Sequence, residues 1–473
     1  MPQLPSALSN RGKMYYSVLL YIVLLVLVSW IGWKKTHTLD DHILAGRSMP
    51  VWLAAFTLAA TLVGTGVTLG VGELAYQYGV SAMFYPIILG VALAASIVAT
   101  AGAFRKSGAA TIPELLARTY GKKVQALAAG ASALKWMGPT AAQYLAVGYI
   151  IHAATGLDPA IAIIAGAILI VAYVILGGAW AIAYTDSLQF VMVYIGFTFL
   201  FFSGVSENGG VFTVLQKLEP EYSNWTGVGV YTLTAWIGSM VALSFADQAW
   251  LQRSAMVKTP RDAVVSGLAA AAMVLPIGYF TVYAGLLAAV QTPGLDPKTA
   301  VPNLIFASFP PQVAALFLTA ILAAAMSCVD SWLHSSATLV TRDIYMEFIH
   351  PKATEKEQKR VMNLVTASMG LGAVALALIW QGAIISLVFL TWVWGSGIYI
   401  GPLLLVWYSS KRISPRAAFF VITAAIVAGT ALTYYPLFGL SPIMTGAIAG
   451  YALTAGAYLL TAKAPDEKEK QDD

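Results

Sequence analysis

Thirteen apolar runs dominate this sequence, each long enough to cross about 30 Å of hydrocarbon as a helix. They fall at approximately 14–33, 50–70, 80–104, 122–152, 158–177, 184–205, 229–252, 262–290, 311–340, 361–380, 383–408, 414–433 and 440–462. Lipid offers backbone amides no partners, so each run must satisfy its own as a helix. Only 10% of the 473 residues are charged, against about 25% in soluble domains. The expected class is an all-α membrane protein with 13 transmembrane helices, forming one domain over 1–473. The first run is long enough to span and no small-residue cleavage site follows it, so no cleavable signal is expected.

Basic residues give the orientation. Connections on one side hold 22 of the 27 lysines and arginines, those on the other side hold 4, and Lys135 lies within a span. The positive-inside rule then puts the N-terminus outside and the C-terminus, with its charged tail 463–473 read as disordered, in the cytoplasm. A net charge of +5 distributed this way reports topology, and no nucleic-acid partner is expected. No P-loop and no extramembrane catalytic domain are visible, so the chain is not read as an enzyme and a gradient must supply the energy. Cys328 is the only cysteine, which excludes an internal disulfide and a thiolate cluster.

The polar residues inside spans are few. Lys135 is the only base, and Glu73, Asp186, Asp247 and Asp330 are the acids in or beside spans. Such groups are costly in lipid unless paired, and they mark function by default. Ala324, Ser327, Cys328 and Ser331 recur at i, i+3, i+4 and i+7 on one helix face, which Ser335 and Thr338 extend and Asp330 borders. Gly64, Gly66, Gly70 and Gly72 sit among β-branched residues. They read either as a helix break that frees carbonyls for a cation, or as a small-residue packing face. Asp186, after Gly177–Gly178, reads as a helix N-cap or as a cation ligand. Asp247 is expected to pair with Arg253, Glu73 to sit at the outer interface, and His334 to be packed or solvated. Lys135 must face an acid (Asp330 or Glu73), a substrate carboxylate or water. Trp392 and Trp394 read as interfacial or packing residues.

TIPELLARTYG (111–121), LGGAWAIAYTDSLQ (176–189), ADQAWLQRSAMVK (246–258) and AAAMSCVDS running on to TRDIY (323–345) together resemble the sodium:solute symporter family, which includes proline, galactose and sialic acid symporters. The resemblance implies an inverted five-plus-five helix repeat transporter fold with broken first and sixth repeat helices. The repeats would cover 50–206 and 229–408, with an extra N-terminal helix at 14–33 and two C-terminal helices at 414–462. By position, a first sodium site would use Ala60, Val63, Ala324, Ser327 and Cys328, and a second would use Asp186, Ser327, Asp330 and Ser331. The substrate cavity would be lined by Thr65, Lys135, Gly138, Gln143, Met240, Leu243, Ser244 and Gln248.

Three positions depart from the family pattern: Gly64 and Cys328 stand where hydroxyl residues are usual, and Asp330 adds a carboxylate. A thiol is a poor ligand for hard Na⁺. The implied function is sodium-coupled symport of a small organic solute by alternating access in the plasma membrane. The solute would be a carboxylate, an amino acid or a pantothenate-like acid. Na⁺ is the coupling ion, with no organic cofactor, and the protein would act as a monomer. A proton-coupled symporter or exchanger on the same fold is the alternative. A membrane sensor would need a cytoplasmic output module that the sequence lacks.

Overall fold

The structure, a computed structural model, describes residues 7–245, 247–380, 400–434 and 442–462. The expected tail 463–473, the segment 383–399 and the two tryptophans within it lie outside the described residues. Apart from one isolated bridge between Met49 and Val257, the described secondary structure is helical. The principal helices are α1 (Ala7–Trp33), α2 (Val51–Leu62), α3 (Val71–Tyr78), α4 (Phe84–Ser107), α5 (Ile112–Tyr120), α6 (Lys122–Lys135), α7 (Met137–Thr155) and α8 (Pro159–Asn208). They continue with α9 (Val230–Phe245), α10 (Gln248–Ala255), α11 (Pro260–Gln291), α12 (Pro311–Leu339), α13 (Glu355–Ile379), α14 (Ile400–Tyr408), α15 (Pro415–Tyr434) and α16 (Pro442–Thr461).

Among the described residues, six helical stretches are long and apolar enough to cross a membrane. The runs near 50–70 and 229–252 are interrupted, so their halves are short. The runs at 158–177 and 184–205 join in α8, which changes direction at Gly178 (φ +56°). A side chain there would lie 2.5 Å from His42 Nδ1 and be strained in this left-handed conformation, so glycine is required. The second helical portion resumes directly after Gly178, which puts Asp186 well inside the helix. Its N-cap reading is therefore corrected.

Local sequence starts several helices. Thr259 and Asp262 form a capping box ahead of α11, with Pro260 in its first turn, and Thr354 with Glu357 does the same for α13. Thr111 caps α5, and its hydroxyl also donates to Asp343 Oδ1 at 2.9 Å. Gln125 of α6 donates to that same oxygen at 2.8 Å, pinning α5 and α6 to the helical extension of α12.

Every residue from Phe317 to Leu339 of α12 is buried. A helix enclosed all round belongs at the centre of a bundle. Helix α12 packs on α1, α2, α7, α8 and α13, so its hydroxyl stripe faces protein throughout.

The connections touch in two groups, as alternating spans require. Arg47 Nη2 donates to Gly108 O at 2.8 Å, Arg105 Nε to Val257 O at 2.6 Å, and Lys122 pairs with Glu347 at 2.7 Å. In the other group, Tyr222 Oη donates to Tyr76 O at 3.0 Å and Tyr76 Oη to Thr292 O at 2.8 Å.

Candidate cation and substrate site

Helix α2 stops at Val63 (φ −91°, ψ 59°), and wider π-helical turns resume over Gly66–Gly70. The break frees carbonyls that an unbroken helix would use itself. Ser327 Oγ of α12 donates to Ala60 O at 3.1 Å and to Ala324 O at 3.0 Å. The Cys328 thiol donates to Thr61 O at 3.1 Å. Ala60, Ala324, Ser327 and Cys328 thus meet at one place, beside the helix end marked by Val63. Two carbonyls and a hydroxyl form the kind of hard-oxygen set an alkali cation takes, while the sulfur contributes little to it.

Gly64 explains why two departures from the family pattern occur together. A methyl group added there would lie 2.5 Å from Cys328 Sγ, so the thiol fills the volume a side chain at 64 would need. We expect Gly64→Ala to destabilise the protein by about 1–3 kcal/mol through overpacking, and Cys328→Ala in the same chain to restore most of that loss. Thermal unfolding of the two single variants and the double variant measures the coupling. Equal effects of Gly64→Ala in both backgrounds would show that the positions share no volume.

One helical turn away lies a second polar cluster. Arg253, only 2% exposed, reaches from α10 with Nη2 3.5 Å from Asp186 Oδ2. Its Nε donates to Thr57 Oγ1 at 3.0 Å, its Nη1 to Ala249 O at 3.0 Å, and its Nη2 to Ser331 Oγ. Thr57 Oγ1 donates to Asp186. Asp330 accepts from Tyr173 Oη at 2.7 Å and from Ser331 Oγ at 3.1 Å, and Thr61 Oγ1 lies 3.0 Å from Ser331 Oγ. The cluster joins α2, α8, α10 and α12. It holds two buried carboxylates and one guanidinium, and Asp186 Oδ1 has no hydrogen-bond partner among the described residues.

The expected pairing of Asp247 with Arg253 is corrected. Six residues apart across a helix start, the two do not share a face. Asp247 instead caps α10, accepting from Trp250 N at 3.2 Å, and pairs with Lys135 at 3.5 Å. Lys135 is completely buried, with Nζ 4.2 Å from the Trp136 ring centroid. Its expected partners Asp330 and Glu73 are not the ones it has: its ion pair is with Asp247, and Nζ makes no hydrogen bond among the described residues.

The remaining cavity residues divide. Thr65 Oγ1 donates to Gln143 Oε1 at 2.8 Å, so these two meet at the break in α2. Gln248 is occupied elsewhere: it accepts from Ile112 N at 2.8 Å and donates to Ala110 O at 3.2 Å, bracing the turn before α5. Met240, Ser244 and Gly138 are buried, while the side chain of Leu243 lies outside the described residues. His334 is packed, its Nε2 2.8 Å from His42 O.

Sequence reasoning missed Arg253, Thr57, Thr61 and Tyr173 as cluster members. Thr57 and Thr61 carried a signal: their i, i+4 spacing matches that of Ser327 and Ser331 across the helix pair. Tyr85 and Trp236 were missed too. They stack edge to face at 5.4 Å, with the Tyr85 hydroxyl beside Gly66.

Comparison with known proteins gives the chain's family and its fold. The family model for the sodium:solute symporter family matches residues 42–423. A high-affinity choline transporter of Caenorhabditis elegans is 26% identical over 76% of this chain and 68% of its own length. The sodium/proline symporter of Escherichia coli is 24% identical over 94% of this chain and 92% of its own length. A solved Na⁺-coupled sialic acid symporter, substrate-bound and outward-open, superposes with a TM-score of 0.83 at 21% identity, covering 96% of this chain and 99% of that one. A nucleobase-cation-symport-1 family transporter gives 0.63 at 16% identity, covering 91% and 97%.

Proposed function

The chain belongs to the sodium:solute symporter family, and from that premise we propose that it moves a small organic solute inward with sodium by alternating access. It is a membrane transporter and not an enzyme, like its relatives. The observation that carries the reading is the broken α2, whose freed Ala60 carbonyl is held by Ser327 of α12. Sodium bound by Ala60, Val63, Ala324 and Ser327 would replace those hydrogen bonds and tie the two helices, and its departure would release them.

The proposed architecture has thirteen spans, with residues 50–206 and 229–408 as inverted repeats. The interruptions of α2–α3 and of α9–α10 support it, since they lie at corresponding places in the two halves. The protein would act as a monomer in the plasma membrane, with its N-terminus outside.

Uptake into proteoliposomes driven by a Na⁺ gradient tests the coupling. Ser327→Ala is expected to raise the sodium concentration for half-maximal uptake roughly 10–100-fold, the loss of one ligand bond of about 1.5–3 kcal/mol, while Ser327→Thr keeps it near that of the parent. Unchanged sodium dependence in the alanine variant would remove this site from the mechanism.

At the second site, formed by Asp186, Asp330 and Ser331, we read Arg253 as an internal counter-cation. Two carboxyl groups share one guanidinium there, so one of them is available to carry a proton, and this favours the proton-coupled alternative as the second reading. Uptake driven by a pH gradient without Na⁺ decides between them.

The solute is proposed to be a small amphiphile such as an amino acid or a related short acid. Thr65, Gln143, Met240 and the Tyr85–Trp236 pair would hold it. With Lys135 paired with Asp247, a carboxylate would turn to the amides at the α2 break, where a half-helix begins. Thermal stabilisation against a panel of amino acids and short acids, with and without Na⁺, identifies it.

A further inference from the structure

A pocket of about 490 Å³ opens between the corner where α5 turns into α6, Tyr120 to Val124, and the start of α15 at Pro415, Arg416 and Phe419. Its rim is basic, because Lys122, Lys123 and Arg416 are all exposed. Its floor is apolar, made of buried Tyr120 and Val124 with Phe419, which is 40% exposed. Tyr120 Oη donates to Pro402 O at 3.2 Å and fixes the corner against α14.

The charges are placed against the helix ends. Lys122 and Lys123 occupy the first turn of α6, which has no acidic residue, and Gly121 (φ +83°) offers no side chain to cap it. Helix α15 begins Pro415–Arg416 with no acid in its first turn, and its one side-chain cap is neutral: Ser414 Oγ accepts from Ala417 N at 3.2 Å. A helix start already carries partial positive charge on its free amides, so cations there are unfavourable until an anion arrives. Among the described residues, Glu347 answers Lys122 at 2.7 Å, while Lys123 and Arg416 have no ion-pair partner. The pocket lies on the side of the bundle where the sequence concentrates its basic residues, the side facing an anionic inner leaflet.

We propose that this pocket binds the phosphate headgroup of an anionic glycerophospholipid, bridging the α5–α6 corner to α15. The phosphate sits between Lys123 and Arg416, and an acyl chain follows Phe419 and Phe420, the latter 64% exposed. This apolar path is what selects a lipid over free phosphate, which has no use for it. Neither the coupling cation nor the transported solute enters into it.

The test is lipid binding to the delipidated full-length protein, followed by native mass spectrometry and thermal unfolding. The probes are phosphatidylglycerol, phosphatidylcholine and inorganic phosphate. Phosphatidylglycerol should remain bound and raise the unfolding temperature, while phosphatidylcholine and phosphate should do neither. Lys123→Gln with Arg416→Gln should weaken phosphatidylglycerol binding about thirtyfold. Lys123→Arg should retain it. Lys352→Gln, which removes a charge from another exposed connection, should bind like the parent. Equal binding of phosphatidylcholine, undiminished binding by the double variant, or displacement by inorganic phosphate at lipid-like concentrations would each overturn the proposal.

Discussion

Replacing Arg253 with methionine is expected to lower the unfolding free energy by about 3–5 kcal/mol and to abolish uptake. Methionine keeps much of the volume, so packing contributes little to the loss. The damage comes from charge: Asp186 and Asp330 are both fully buried, and Arg253 is the only base in contact with their cluster among the described residues. Three further hydrogen bonds, to Thr57, Ala249 and Ser331, disappear with it. The measurement is thermal or denaturant unfolding of the purified protein in detergent. Adding Asp186→Asn to the methionine variant should recover part of the loss, because one orphaned charge is removed. If the vacated cluster can take an external cation, the methionine variant should also gain a Na⁺-dependent stabilisation at this site. A methionine variant that unfolds with the parent and still transports would remove the counter-cation role.

The second large effect concerns the Lys135–Asp247 pair. Lys135→Met and Asp247→Asn should each cost about 3–5 kcal/mol, since either change leaves an uncompensated buried charge. Together they should cost far less, because the double variant buries no charge. Asparagine caps a helix about as well as aspartate, so the Asp247→Asn effect isolates the ion pair from the cap on α10. The Trp136 ring, stacked on Trp332 at a centroid distance of 5.1 Å, lies against the lysine Nζ. A double-mutant cycle on unfolding gives the coupling energy directly. Had Lys135 served a substrate carboxylate, Lys135→Met would preserve stability and raise only the KM for an acidic solute.

Much of the candidate site was legible because its signals are local. Glycines among β-branched residues marked the weak point of α2, and the structure breaks the helix there. The i, i+3, i+4, i+7 spacing put Ser327, Cys328 and Ser331 on one face, and they lie along one wall. The acids worth watching were visible for the same reason: a carboxylate within an apolar run stands out.

The partners of those acids were not legible. Asp247 and Arg253 are near neighbours in sequence, yet each finds its counter-charge more than 60 residues away, on α6 and α8. Gln248 looked like a cavity residue but is consumed by the Ala110–Ile112 backbone. Such choices depend on which helix faces lie opposite one another and on which buried amides and carbonyls still need partners.

Composition, run length and the distribution of lysine and arginine by themselves determined that this chain is a multi-span helical membrane protein with two unlike sides. The transfer of a helix into lipid is scored residue by residue, so a linear sequence records it. The tertiary structure alone decided that Lys135 belongs to Asp247, that Arg253 stands between Asp186 and Ser331, and that Cys328 occupies the space Gly64 leaves. Those are energies of pairs and of shared volume, and they exist only once α2, α6, α8, α10 and α12 have been brought together.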